Sequence, residues 1–150
     1  SRDKTIKLWD ATTYKPIQTL TGHSNEVNGV AWKPDGKTFA SASNDKTIKL
    51  WVITTAKQIK TLIGHSDKVN GLAWNPNSKT LASASGDNTI KLWDATTGKL
   101  LKTLIGHSNE VNGMTWNPND KTLASASLDN TIKLWDTNTG KLLKTLTGHN

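Results

Sequence analysis

Residues 64–105 read GHSDKVNGLAWNPNSKTLASASGDNTIKLWDATTGKLLKTLI, and the chain is this stretch again and again. Gly-His recurs at Gly22-His23, Gly64-His65, Gly106-His107 and Gly148-His149, always 42 residues apart. An apolar-Trp pair recurs at Leu8-Trp9, Leu50-Trp51, Leu92-Trp93 and Leu134-Trp135 with the same period. Aligned without gaps, 64–105 and 106–147 agree at 33 of 42 positions. A fixed period of this size marks a repeat architecture, in which each unit buries its apolar face on its neighbours.

Within the unit, 69–74 (VNGLAW) is a short apolar-rich run closed by the turn residues Asn75, Pro76, Asn77 and Ser78. Residues 80–85 (TLASAS) follow, and Gly86-Asp87-Asn88 turns the chain into 89–94 (TIKLWD), which alternates with period two. Thr97-Gly98 turns it again into 100–105 (LLKTLI). Four runs of this length, punctuated by Asn, Asp, Pro, Gly and Ser, predict four antiparallel strands joined by hairpins. No window sustains apolar residues at helical spacing, so the fold class is all-β.

The Gly-His opening, the S-x-D-x-T turn and the Trp-Asp that closes the third run resemble the WD-40 repeat, the blade of a β-propeller. The resemblance covers all 150 residues. It implies a hydrogen-bonded tetrad in each blade: His23, Ser41, Asp45 and Trp51; His65, Ser83, Asp87 and Trp93; His107, Ser125, Asp129 and Trp135. The tetrad makes physical sense, because a buried carboxylate needs donors, and His N–H, Ser O–H and indole N–H are what this pattern brings. The near-identity of the units also resembles the amplified arrays of bacterial, especially cyanobacterial, WD-repeat proteins.

In order, residues 1–21 carry only the third and fourth runs of a unit. Asp3 and Trp9 are there without a tetrad Ser or His. Residues 22–63, 64–105 and 106–147 are whole repeats, and 148–150 begin another, whose His149 would serve a further blade. The expected architecture is therefore about three and a half blades, each with its first strand innermost and its fourth outermost. Rings of this kind close with roughly four to eight blades. Further repeats, or copies joined as a homo-oligomer, would complete the ring. A structural self-assembly module is accordingly the alternative function.

Composition bounds the chemistry. The net charge is +7 and there is no cysteine, which removes disulfide, thiolate and zinc-finger readings. No apolar run approaches the ~20 residues of a membrane-spanning helix, and a cytoplasmic setting is the default. Basic residues recur in columns, such as Lys49, Lys91 and Lys133, or Lys60, Lys102 and Lys144. Electrostatic binding of nucleic acid is the weaker reading of these columns, and a solvated lysine fringe that discourages edge pairing is the stronger. A Ser, His and Asp set in each repeat invites a hydrolase, but repetition in every blade argues for architecture. One histidine per blade cannot gather on one metal, and no phosphate-binding glycine loop is present. The sequence shows no enzyme, cofactor or metal site.

Binding to other proteins or peptides is what the resemblance implies. Selection among partners has to come from positions that differ between repeats. On the face where the Gly-His loops and S-x-D turns gather, these are Arg2, Asn44, Gly86 and Leu128 before the tetrad Asp, and Glu26, Lys68 and Glu110 before the first strand. Asn28, Asn70 and Asn112 do not vary and would form a ring of amides. One further departure is Val52-Ile53, which stands where the other units have Asp-Ala or Asp-Thr, an outer apolar patch that drift or a covering neighbour explains.

Overall fold

A computed structural model describes residues 1–119 and 121–148; the expectation for His149 lies outside the described residues. Fourteen strands follow one another in it without a helix. Strands β1 (Ile6–Trp9) and β2 (Pro16–Leu20) form a two-stranded sheet. The first four-stranded sheet holds β3 (Val27–Trp32), β4 (Thr38–Ser43), β5 (Thr47–Val52) and β6 (Lys57–Ile63). The second holds β7 (Val69–Trp74), β8 (Thr80–Ser85), β9 (Thr89–Asp94) and β10 (Leu100–Ile105). The third holds β11 (Val111–Trp116), β12 (Thr122–Ser127), β13 (Thr131–Asp136) and β14 (Leu142–Thr147). Every sheet is an antiparallel meander, so the chain makes three blades and half of a fourth.

Alternation along each strand points side chains at two different neighbours. Ala40, Ala42, Ile48, Leu50 and Leu62 of the first four-stranded sheet pack against Val69, Trp74, Leu81 and Trp93 of the second. The same positions one repeat on, Ala82, Ala84, Ile90, Leu92 and Leu104, pack against Val111, Trp116, Leu123 and Trp135. The core thus lies between sheets and not within any one. Small alanines on the second strand let the large indoles of the next sheet approach. The indole N–H groups of Trp74 and Trp116 donate to the carbonyls of Ala31 and Ala73 on the preceding sheet, each at 3.0 Å.

First strands converge at the hub. A Cβ on Gly71 would sit 3.1 Å from the Asn112 carbonyl oxygen, so glycine eases the close approach of β7 to β11. Asn28, Asn70 and Asn112 are the extra residues of β-bulges in β3, β7 and β11, where the register shifts between Val27/Gly29, Val69/Gly71 and Val111/Gly113. The Gly of Gly-His has a packing reason as well. On Gly64 a Cβ would meet Cη2 of Trp93 at 3.0 Å, and on Gly106 that of Trp135 at 3.0 Å. Gly64→Ala is expected to destabilise the chain by about 1–3 kcal/mol through overpacking; denaturant titration of the variant checks it.

The Val52 departure has a partner. In the second sheet the turn after Asp94 lies on the fourth strand of the first sheet, where a Cβ on Gly98 would be 3.3 Å from Lys60 Cδ. Asp136 and Lys102 repeat the arrangement, with Gly140 3.5 Å from Lys102 Cδ on the same measure. At the corresponding junction before the first four-stranded sheet, Gln18 stands in the lysine position and Val52 in that of the acid. The acid and the lysine of the other repeats are both absent at these two positions.

Candidate functional site

Each four-stranded sheet carries a hydrogen-bonded chain on the side that faces the preceding sheet. In the second sheet, Trp93 Nε1–H donates to Ser83 Oγ at 2.8 Å. Ser83 Oγ lies 2.7 Å from His65 Nε2, and His65 Nδ1 lies 2.7 Å from Asp87 Oδ2. An ionised carboxylate only accepts, so the neutral ring carries its proton on Nδ1 and accepts the Ser hydroxyl at Nε2. Trp51, Ser41, His23 and Asp45 repeat this at 2.8, 2.7 and 2.8 Å. Trp135, Ser125, His107 and Asp129 repeat it at 2.8, 2.8 and 2.7 Å. The order differs from the sequence expectation that His, Ser and Trp would all serve the carboxylate. Only the His reaches it; the indole and the Ser act through the ring.

Other donors complete the carboxylate. Asp87 also accepts the Thr89 hydroxyl at 2.6 Å, the Thr89 backbone N–H at 3.0 Å and the Ser66 backbone N–H at 3.0 Å. Thr47 with Ser24, and Thr131 with Ser108, do the same for Asp45 and Asp129. Sequence reasoning noted the Thr as part of S-x-D-x-T but gave it no role; its recurrence two residues after each Asp was the available signal.

Burial opposes ionisation of Asp45 and Asp87, but the hydrogen bonds of the Thr hydroxyl and the His outweigh it and hold both carboxyls at about 2. In Asp129 the same balance places the carboxyl well below the ordinary range. Burial likewise lowers the imidazoles of His23 and His65 from 6.5, more than the adjoining carboxylates raise them. Below 6.5 the unfolded chain therefore takes up protons at these two rings that the folded chain refuses, and stability falls as pH falls. Asp45 and Asp87 act with the same sign between 3.8 and about 2. The unfolding midpoint is expected to fall in two stages on acidification, one below 6.5 and one below 3.8. A midpoint that stays flat down to about pH 5 would contradict the first stage.

Asp, His and Ser are connected here as they are in a nucleophilic triad. Access is what differs. Ser41 and Ser83 are fully buried and Ser125 nearly so, and in each the hydroxyl oxygen already accepts an indole N–H.

Above the chains lies the rim formed by the Gly-His loops and the S-x-D turns. The Asn44, Gly86 and Leu128 backbone N–H groups donate to the carbonyls of Glu26, Lys68 and Glu110, each at 2.9 Å. Two of the rim positions that vary are thus hydrogen-bonded through their backbones in each whole repeat. Lys68 and Glu110 join neighbouring sheets in an ion pair at 3.0 Å. Gly86 leaves room for Asp67 and Lys68, whose atoms lie 3.1 and 3.2 Å from where its Cβ would be. Leu128 is 54% exposed, an apolar side chain on a polar rim. Arg2 is exposed as well.

The amide ring is differently employed. Asn28 Nδ2 donates to the Val69 carbonyl at 3.0 Å and to Asn44 Oδ1 at 2.7 Å. Asn70 Nδ2 donates to the Val111 carbonyl at 3.1 Å and to Asn112 Oδ1 at 3.0 Å. These bulge residues latch one sheet to the next. The lysine columns are also engaged within the fold: Lys49, Lys91 and Lys133 donate to the hydroxyls of Thr61, Thr103 and Thr145 at 3.1, 3.0 and 2.9 Å. That column is tied across the third and fourth strands and is not a solvated fringe.

A family profile described as "WD domain, G-beta repeat" matches residues 14–52, 56–94 and 98–136. Each match runs from the turn before a fourth strand to the end of the next sheet's third strand, so it bridges two sheets. The chain is 62% identical over 37 residues to "Lissencephaly-1 homolog" of Branchiostoma floridae, a stretch that covers 25% of this chain and 9% of that protein. It is 51% identical over 41 residues to "Nuclear distribution protein PAC1" of Mycosarcoma maydis, covering 27% and 9%. With "Lissencephaly-1 homolog 1" of Paramecium tetraurelia it shares 48% over 44 residues, covering 29% and 11%. The similarity thus spans about a tenth of these curated relatives. None of the three lends support to the likeness with bacterial arrays.

Proposed function

Since the chain belongs to the WD domain, G-beta repeat family, we propose that it is a non-catalytic scaffold which binds a protein or peptide segment across the loop rim. The observation that carries this reading is that, in each four-stranded sheet, two rim positions that differ between repeats are hydrogen-bonded to each other through their backbones. The frame below them is the same in each sheet and selects nothing. Leu128 beside Glu110 and Lys68 suits a segment that offers an apolar side chain between polar groups. Burying such a side chain contributes about 1.5–3 kcal/mol, enough to dominate a small contact.

Peptides selected from a random display library on the immobilised chain would test this. Leu128→Asp is expected to weaken the selected binders at least about tenfold, equivalent to ~1.4 kcal/mol. Thr96→Asp, an exposed change at the turn between β9 and β10 on the opposite rim, is expected to leave them unchanged. Binders sensitive to Thr96 and indifferent to Leu128 would move the site elsewhere.

A further inference from the structure

We propose that the cavity between the second and third four-stranded sheets, on the rim opposite the Gly-His loops, binds an alkylammonium group seated against Trp116. The cavity holds about 300 Å³, at the small end of pockets that take a ligand. Trp116, Leu92 and Leu101 give it apolar surface, and Asn75, Asn77 and Thr137 line it with polar groups. Both sheets that enclose it have all four strands, β7 to β10 and β11 to β14.

The chemistry of the occupant follows from the junction one repeat earlier. There Lys33 stands at the position of Asn75, and Trp74 at that of Trp116. Lys33 Nζ lies 6.0 Å from the centroid of the Trp74 ring, within reach of a cation–π attraction, and pairs with Asp35 at 2.8 Å. The two indoles are otherwise alike. Both are 8% exposed, and both donate Nε1–H to a carbonyl of the preceding sheet at 3.0 Å. One junction thus supplies a cation to its indole from its own chain. The other has an asparagine in that place, shorter than lysine and uncharged.

An incoming ammonium finds the partners it needs. Its aliphatic stem lies on Leu92 and Leu101, as lysine stems lie on apolar surface. Asn77 Oδ1 accepts the Lys79 N–H at 2.8 Å, and the Thr137 hydroxyl donates to the Lys121 carbonyl at 3.0 Å. Amide and hydroxyl oxygens carry two lone pairs each, so both have capacity to accept from the ammonium as well. Lys102, the cation on the lining, lies within electrostatic reach of the Asp136 carboxylate. Lys60 and Asp94 hold the same relation at the earlier junction, where Lys33 is accommodated beside them. An anion would have to compete with Asp136 for Lys102, and the negative face of the indole would not favour it.

The probes are n-butylammonium, a free amine, and Nα-acetyl-lysine methylamide, the same group on a peptide unit, titrated into the isotopically labelled 150-residue chain. The Trp116 indole N–H resonance is expected to shift and saturate, while that of Trp74, already served by Lys33, stays in place. Tighter binding of the lysine probe supports the site with a polypeptide as the source, and equal or tighter binding of butylammonium supports it with a free amine. Nε-acetylation of the lysine probe removes the charge and keeps the stem, and is expected to weaken binding at least about tenfold. Asn75→Lys with Asn77→Asp, which copies Lys33 and Asp35, is expected to abolish the Trp116 response. The converse pair, Lys33→Asn with Asp35→Asn, is expected to make Trp74 respond, a gain that mere loss of stability does not produce. An unmoved Trp116, an Nε-acetylated probe that binds as well as the charged one, or a Trp74 that stays silent in the converse pair would each overturn the proposal.

Discussion

Trp93→Ala is expected to lower the unfolding free energy by about 3–5 kcal/mol. The indole is 1% exposed, fills the space between the first and second four-stranded sheets, and donates to Ser83. Its loss removes apolar contact and leaves a cavity that the rigid alanine-lined face of the preceding sheet cannot collapse into. Trp9→Ala supplies the control, since the same residue at the same place in the motif is largely exposed. There the expected cost is under about 1 kcal/mol. Equal costs at the two positions, measured by denaturant titration, would mean that the core does not lie between the sheets.

Asp87→Ala comes second, with an expected loss of about 1–3 kcal/mol. Four donors converge on this carboxylate, from His65, Ser66 and the backbone and hydroxyl of Thr89. Removing the acceptor leaves the part-buried donors among them without a partner, and the cost is that of unpaired polar groups. In a stack of repeats stability is shared between neighbours, so protection of amides in the adjoining sheets should fall as well. Asp94→Ala, a half-buried acid seven residues later that accepts only the Thr96 and Thr97 N–H groups of a turn, is expected to cost less. An unmoved midpoint for Asp87→Ala would remove the carboxylate from the frame.

Much of this architecture was legible because the repeat prints the same message several times. The period, the four runs per unit and the turn residues between them gave the strands; β7 to β10 lie where alternation and punctuation put them. Directions were harder. That His65 is the member of the tetrad that reaches Asp87, with Ser83 and Trp93 behind it, depends on how far side chains extend from one loop and two strands, and residue types do not contain this. The bulges hid the role of Asn28 and Asn70, because an extra residue turns a side chain away from its alternating face and into the neighbouring sheet. Trp9 and Trp32 share the motif of their buried counterparts. Their exposure, 57% and 51%, is a matter of what packs beside them and not of the local pattern they share.

The account rests on the hydrogen-bonded chain being made once in each four-stranded sheet, with a neutral imidazole at His23 and His65 as its middle member. Nitrogen NMR of the His23 and His65 rings at neutral pH tests this most directly, since a protonated and an unprotonated ring nitrogen resonate far apart. The account predicts a proton held on Nδ1 and a bare Nε2 accepting from Ser41 or Ser83. A proton on Nε2, or a ring that exchanges rapidly between tautomers, would contradict it.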